Sequence, residues 1–264
     1  MQRCFSSLGC PEFSLDAVLG LAGKHAIPAV ELRSLGGTLD LPAYFATHFA
    51  TPAALALHVK DEPVRIAAFD TSLKLVGSGE AEWRTTAESF LPWAEALGGV
   101  KLRVFDGGQT GSPEEIAAMA ARFSWWQALR RKRGWQSDVV VETHDSLFTA
   151  AAVLRLVAAA PGVKILWDSH HTWKRGGEDP VATWRALQPH IGHIHVKDSV
   201  SHPSPKHPYS YVLPGEGEFP AAPLMSVLKA EYPGDLSLEW EKLWHPYLPL
   251  LEDALVSANG RGWW

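Results

Sequence analysis

The strongest constraint on the fold of this chain is an alternation that runs from end to end. Short apolar, strand-like runs fall at 2–7, 28–32, 64–69, 100–105, 138–142, 163–168, 191–196 and 235–239. Between and after them the apolar residues recur at helical spacing, near 14–25, 42–60, 80–97, 113–133, 146–159, 179–190, 219–231 and 246–257. Eight strand–helix repeats in 264 residues match an α/β fold of the (β/α)8 TIM-barrel type, for which roughly 250 residues is typical. No composition break marks a linker, so the expectation is one barrel domain spanning 1–264. A doubly wound open sheet is the rival, weakened because no glycine-rich phosphate loop follows the first strand. The tract SHPSPKHPYSYVLPGEGEFP at 201–220 reads as a long loop after the seventh strand, where barrels keep active-site lids.

Composition matters mainly for what it excludes. A formal net charge of −5 offers no electrostatic grip on nucleic acid or on an anionic membrane. The RRKR run at 130–133 ends a helical pattern, where cations complement the negative helix end. The longest apolar stretch, 147–160, contains Arg155 and stops at Pro161, too short to span a bilayer. Two cysteines, Cys4 and Cys10, make no disulfide framework, and the expected setting is cytoplasmic. Most of the 12 tryptophans read as packing between helices and sheet, with one or two left to wall a pocket.

The stretch IGHIHVKDS at 191–199 is apolar in character yet places His193, His195 and Lys197 at every second position. In a strand these three side chains share a face, and they are poor core material. The same concentration of polar groups recurs where the neighbouring strands end. VVVETHD supplies Glu142 and His144, ILWDSHH supplies Asp168 and His171, and LSLEWEK supplies Glu239 and Glu241. Barrel active sites lie at the C-terminal ends of the strands, so groups from four successive strands converge on one point.

Carboxylates gathered about one point repel each other unless a cation is present. Glu142, Asp168, a histidine of the seventh strand and Glu239 therefore read as a divalent-metal site. Oxygen-rich ligation with one imidazole favours Mn²⁺, with Mg²⁺, Co²⁺ and Zn²⁺ also suited. No thiolate lies near these strand ends, which opposes a structural zinc. His193 and His195 both remain candidates on this argument, and Glu241 rivals Glu239. Arg33 and Arg103, at the second and fourth strands, reach towards the pocket to bind an anionic or hydroxylated substrate, or else form rim ion pairs with Glu31 as an obvious partner. Lys174 and Arg175 read as solvated loop charges.

VELR at 30–33, LRVF at 102–105, ETH at 142–144, DSHH at 168–171, HIHVKD at 193–198, PGEGEFP at 214–220 and SLEWE at 237–241 together resemble the xylose isomerase-like TIM barrels of sugar phosphate isomerases and epimerases. The resemblance covers nearly the whole chain, in the family's order. It implies metal ligation by Glu142, Asp168, His195 and Glu239, choosing the second histidine of the H-x-H. It also implies that Lys197 approaches a substrate oxygen or carboxylate and that His171 meets a substrate hydroxyl, with its neighbour His170 the alternative that register leaves open. The expected activity is isomerisation or epimerisation of a sugar, sugar acid or related polyol ketone, with Glu142 and Glu239 moving the proton through an enediolate. A lyase or dehydratase acting on a small hydroxy or keto acid would use the same parts. The partner is thus a small molecule, and a homo-oligomer is compatible with the family's habits. The DNA-repair branch of this fold resembles a three-metal site with histidines from the third and fourth strands; here those ends carry Asp70 and Arg103.

Overall fold

The computed structural model describes residues 1–264. Eight parallel strands close into a barrel: β1 (Gln2–Ser6), β2 (Ala29–Leu32), β3 (Arg65–Lys74), β4 (Lys101–Phe105), β5 (Val139–Glu142), β6 (Lys164–Asp168), β7 (Ile191–Val196) and the last barrel strand, β10 (Asp235–Leu238). β1 pairs with both β2 and β10, so no edge is left open. The two intervening strands, β8 (Asp198–Val200) and β9 (Ser210–Val212), form an antiparallel hairpin outside the barrel. The tract expected as a featureless loop is therefore partly ordered by its own backbone ladder.

Helices α1 (Leu15–Lys24), α4 (Glu80–Ala96), α5 (Pro113–Arg133), α6 (Ala150–Ala159), α8 (Pro180–Leu187), α9 (Ala221–Glu231) and α10 (Leu251–Gly260) follow the predicted periodicity. The predicted helix at 42–60 is two, α2 (Leu41–Phe49) and α3 (Pro52–His58). Ala50 adopts φ 61° between them, Thr51 caps the second, and Pro52 occupies its first turn. A short helix, α7 (Ser169–Lys174), was not foreseen. Its N-cap is Asp168, whose side chain accepts the His171 N–H. α5 shows how sequence sets the ends. Ser112 caps it, Glu114 and Glu115 sit in the first turn, Arg130–Arg133 fill the last, and Gly134 stops it at φ 72°.

Side chains of β7 resolve the alternation of IGHIHV. Ile194 and Val196 pack outward against the helices, whereas His193 and His195 point into the barrel, and all four are fully buried. Six tryptophans are at most 2% exposed, Trp83, Trp126, Trp167, Trp184, Trp240 and Trp263, which bears out the packing reading. No helix is long and apolar enough to cross a membrane.

Candidate metal and substrate site

Parallel register sets the site. Asp168 pairs with His195 across β6 and β7, and Glu142 sits level with Leu166 and Phe105. Glu239 lies one residue beyond β10, its N–H held by the Val196 carbonyl at 3.1 Å. One oxygen or nitrogen from each of Glu142, Asp168, His195 and Glu239 falls within 4.8 Å of the others, and all four residues are buried. His193 lies outside this group, a layer deeper, with Nδ1 4.0 Å from Asp235. Glu241 lies outside it as well, 2.6 Å from the Lys197 ammonium.

The geometry of His195 is informative. Its Nε2 meets Glu31 at 3.0 Å, and its Nδ1 faces Glu239 at 3.3 Å and Glu142 at 3.9 Å. With Nε2–H donated to Glu31, the Nδ1 lone pair points at carboxylate oxygens, an acceptor facing acceptors. Only a second proton on the ring or a cation between them satisfies that arrangement. Burial alone lowers the basicity of His195, but Glu31 and Glu239 outweigh it and hold the ring well above its ordinary pKa. His195 Nδ1, Glu142 Oε2 and Asp168 Oδ2 are buried without an aligned hydrogen bond. Three carboxylates and one imidazole, with only Lys197 and Arg103 as neighbouring cations, fit a hard or borderline divalent ion.

Glu31 is the residue whose role the sequence left open. Of the two readings of the arginines, the one that paired them with Glu31 does not hold; Glu31 accepts from His193 Nε2 at 2.7 Å and from His195 Nε2. Burial pushes its carboxyl up, yet His195 and His193 pull it below the usual carboxylate range. Carboxylate, imidazole and cluster-facing nitrogen have the arrangement that orients a histidine ligand where a metal is bound. The clue lay in VELR, where Glu31 and Arg33 share the inward face of a strand.

The cations divide sharply by partner. Lys197 contacts Asp168 at 2.8 Å, Glu241, and also Glu239, and these outweigh burial to keep it charged. Arg103 contacts Glu142 at 3.1 Å and Asp70 at 3.8 Å, with Phe105 stacked 4.0 Å away. Arg33 has no carboxylate partner; it donates to the Asp70 carbonyl and to Ser72 Oγ. His171 Nδ1 lies 3.0 Å from the Thr143 carbonyl and 3.2 Å from Asp168. Burial, with Lys197 nearby, keeps this ring well below its ordinary pKa and hence neutral. His170 turns away to Ser199, so His171 is the histidine that faces inward.

A cavity of about 260 Å³ sits on this cluster, walled by Arg33, Arg103, Phe105, Glu142, Lys197 and Glu239 among others. Trp244 lines it too, the pocket tryptophan that composition allowed. An outer cavity of about 680 Å³ shares His144, His171 and Glu241 with the inner one and is roofed by Tyr209 and Tyr211. Lys174 and Arg175 line it and are engaged rather than simply solvated, Lys174 with Ser201 and Glu218, Arg175 with the His144 and Asp145 carbonyls.

Asp198 clamps the roof. Its carboxylate accepts backbone N–H groups of Ser199, Gly215, Gly217 and Phe219. A Cβ at Gly217 would come 2.1 Å from Asp198 Oδ1, so that glycine permits the approach. Asp198→Ala is expected to destabilise the protein by about 2–4 kcal/mol. Hydrogen exchange should quicken chiefly over 199–219; unchanged exchange there would show that the hairpin holds itself.

The profile of the xylose isomerase-like TIM barrels matches residues 22–258. No curated protein matches the sequence. Among solved structures, the probable 3-DHS dehydratase AsbF involved in petrobactin synthesis from Bacillus anthracis superposes with TM-score 0.78 at 20% identity, covering 99% of this chain and 100% of that one. D-allulose 3-epimerase from Methylomonas sp., in complex with D-allulose, gives 0.66 at 16%, covering 98% and 93%. A xylose isomerase-like TIM barrel protein from Mycobacterium smegmatis, in complex with magnesium, gives 0.65 at 11%, covering 98% and 94%. At such identities the likeness to these three is one of fold.

Proposed function

The chain belongs to the xylose isomerase-like TIM-barrel family, and we propose that it is a divalent-metal-dependent isomerase or epimerase of a sugar, sugar acid or related polyol ketone. The observation that carries this reading is a pair of buried carboxylates, Glu142 and Glu239, in one cluster with Asp168 and His195. Their environments push them apart. Burial raises Glu142 against the pull of Arg103, whereas Lys197 and His195 overcome burial and hold Glu239 well below its ordinary pKa. Two carboxylates of unequal basicity beside one site are what a 1,1- or 1,2-proton transfer needs.

Glu142, Asp168, His195 and Glu239 would hold the ion, with Mn²⁺ the first expectation. When bound, a divalent cation supplies Lewis acidity that makes a C–H beside a carbonyl easier to ionise. In the proposed reaction one of Glu142 and Glu239 accepts that proton and the other returns one to the neighbouring carbon or to the opposite face. Lys197 donates towards the substrate oxygen on which negative charge develops, and the neutral His171 orients a hydroxyl.

Dehydration is a second reading, favoured by one detail. His171, with Nδ1–H held by Thr143 and Asp168, keeps Nε2 as a free base at the cavity wall, a third proton carrier that an elimination could use. Two measurements test the pair. Metal analysis of the purified protein should give about one equivalent of a divalent ion in wild type, lost in Glu239→Ala. Incubation with ketoses and sugar acids in D2O should then wash deuterium into carbon-bound positions with no other change in mass. Loss of water from the product would assign a dehydratase instead, and a wild type that takes up no ion would remove the reading.

A further inference from the structure

We propose that the natural substrate carries a carboxylate and that Arg33 is the residue that binds it. The inference rests on the function proposed above and narrows its substrate from sugars in general to acids. Its starting point is the uneven pairing of the cations around the inner cavity. Lys197 touches three carboxylates, Arg103 two, and His195 three. Arg33 is only 6% exposed and touches none.

A guanidinium has five N–H donors, and Arg33 uses two, one to a carbonyl and one to a hydroxyl. Burying such a cation without a counter-charge is unfavourable unless something supplies one. Burial and the nearby Arg103 push Arg33 down to about 10 against the pull of Asp70, Glu142 and Glu239, none of which forms an ion pair with it. Arg33 nonetheless lines the cavity that holds Glu142 and Glu239. It therefore presents unused donors to whatever lies beside the two proton carriers.

Carboxylate is favoured over phosphate by what surrounds it. The lining of this cavity contains no glycine, and the one helix start it includes, α7 at His171, has that N–H already taken by Asp168, so the usual backbone N–H groups that cradle phosphates are missing. At about 260 Å³ the space is also small for a ligand pocket. A planar guanidinium fork alone is the complement of a carboxylate. A neutral ketose would leave the free donors of Arg33 without a charged partner in contact, so the site favours the acid.

Isothermal titration calorimetry of the Mn²⁺-loaded protein tests this with matched pairs, glucuronate against glucose and 2-ketogluconate against fructose. In at least one pair the acid should bind about tenfold or more tightly than its neutral partner. Arg33→Gln should remove that advantage without weakening the neutral sugar, and Arg33→Lys should restore part of it. Equal binding within both pairs, a preference that survives in Arg33→Gln, or inorganic phosphate binding more tightly than acetate through Arg33 would each overturn the proposal. Deuterium wash-in separates the two claims. Exchange without acid preference leaves the isomerase reading standing and removes this one; acid preference without exchange does the reverse.

Discussion

Glu239→Gln and Glu142→Gln should each reduce turnover by about a thousandfold or more, because amides of the same shape neither carry a proton nor hold a divalent ion firmly. The two variants should fail differently. Glu239 contacts Lys197 and His195, so its neutralisation leaves both cations with fewer partners and should release the ion. Glu142 contacts Arg103 rather than Lys197, so its amide leaves the Lys197 contacts in place and should retain more metal while losing the proton step. Measuring kcat and metal content on the same samples separates these effects. Near-wild-type rate in either variant would disprove the assignment of that glutamate.

The second large effect is expected at Glu31, which lies in neither cavity. Glu31→Gln keeps a hydrogen-bond acceptor for only one of the two imidazoles that now share the carboxylate. His195 would then be free to change tautomer and turn its Nδ1–H towards the cluster. Loss of such an orienting carboxylate typically weakens metal binding 10–100-fold, and competition with a fluorescent chelator would read it directly. The variant should also respond differently to acid. The folded-state pKa of Glu31 lies below the unfolded reference of 4.5. Its contribution to stability is thus present above that reference and lost as pH falls through the lower folded value. Metal-free wild type should lose stability over that acid range more steeply than Glu31→Gln; parallel pH–stability curves would show that Glu31 is not the group responsible.

How much of this was legible in the sequence depends on the physics of each element. The strand–helix alternation is written in hydrophobic period, and the barrel follows from it. Strand ends are marked by the abrupt arrival of charge, as in VVVETHD and ILWDSHH, so the positions of Glu142, Asp168 and Glu239 could be read. His195 and His193 could not be separated by spacing, since both face inward; the family resemblance chose His195, and the structure places that ring in the cluster. The histidine that faces inward from DSHH was likewise a matter of register, fixed only when Asp168 caps α7. Pairing was the least visible property. Glu31 meets His193 and His195 across 162 and 164 residues, and nothing local announces a partner at that distance. The split at Ala50 was missed because the apolar pattern continues through it, while a positive φ and the following proline interrupt the backbone.

That long-range contact has a consequence for how the protein reaches its working form. All four proposed ligands lie on the second half of the chain, from Glu142 onward, whereas the carboxylate that orients His195 comes from β2. A chain in which β5, β6, β7 and β10 were paired but β1 had not docked on β10 would hold the proposed ligand set around an unaligned imidazole. Contacts of such sequence separation carry a large loop-closure cost. Tight binding at the proposed metal site is therefore expected only once β1 and β2 have closed the barrel.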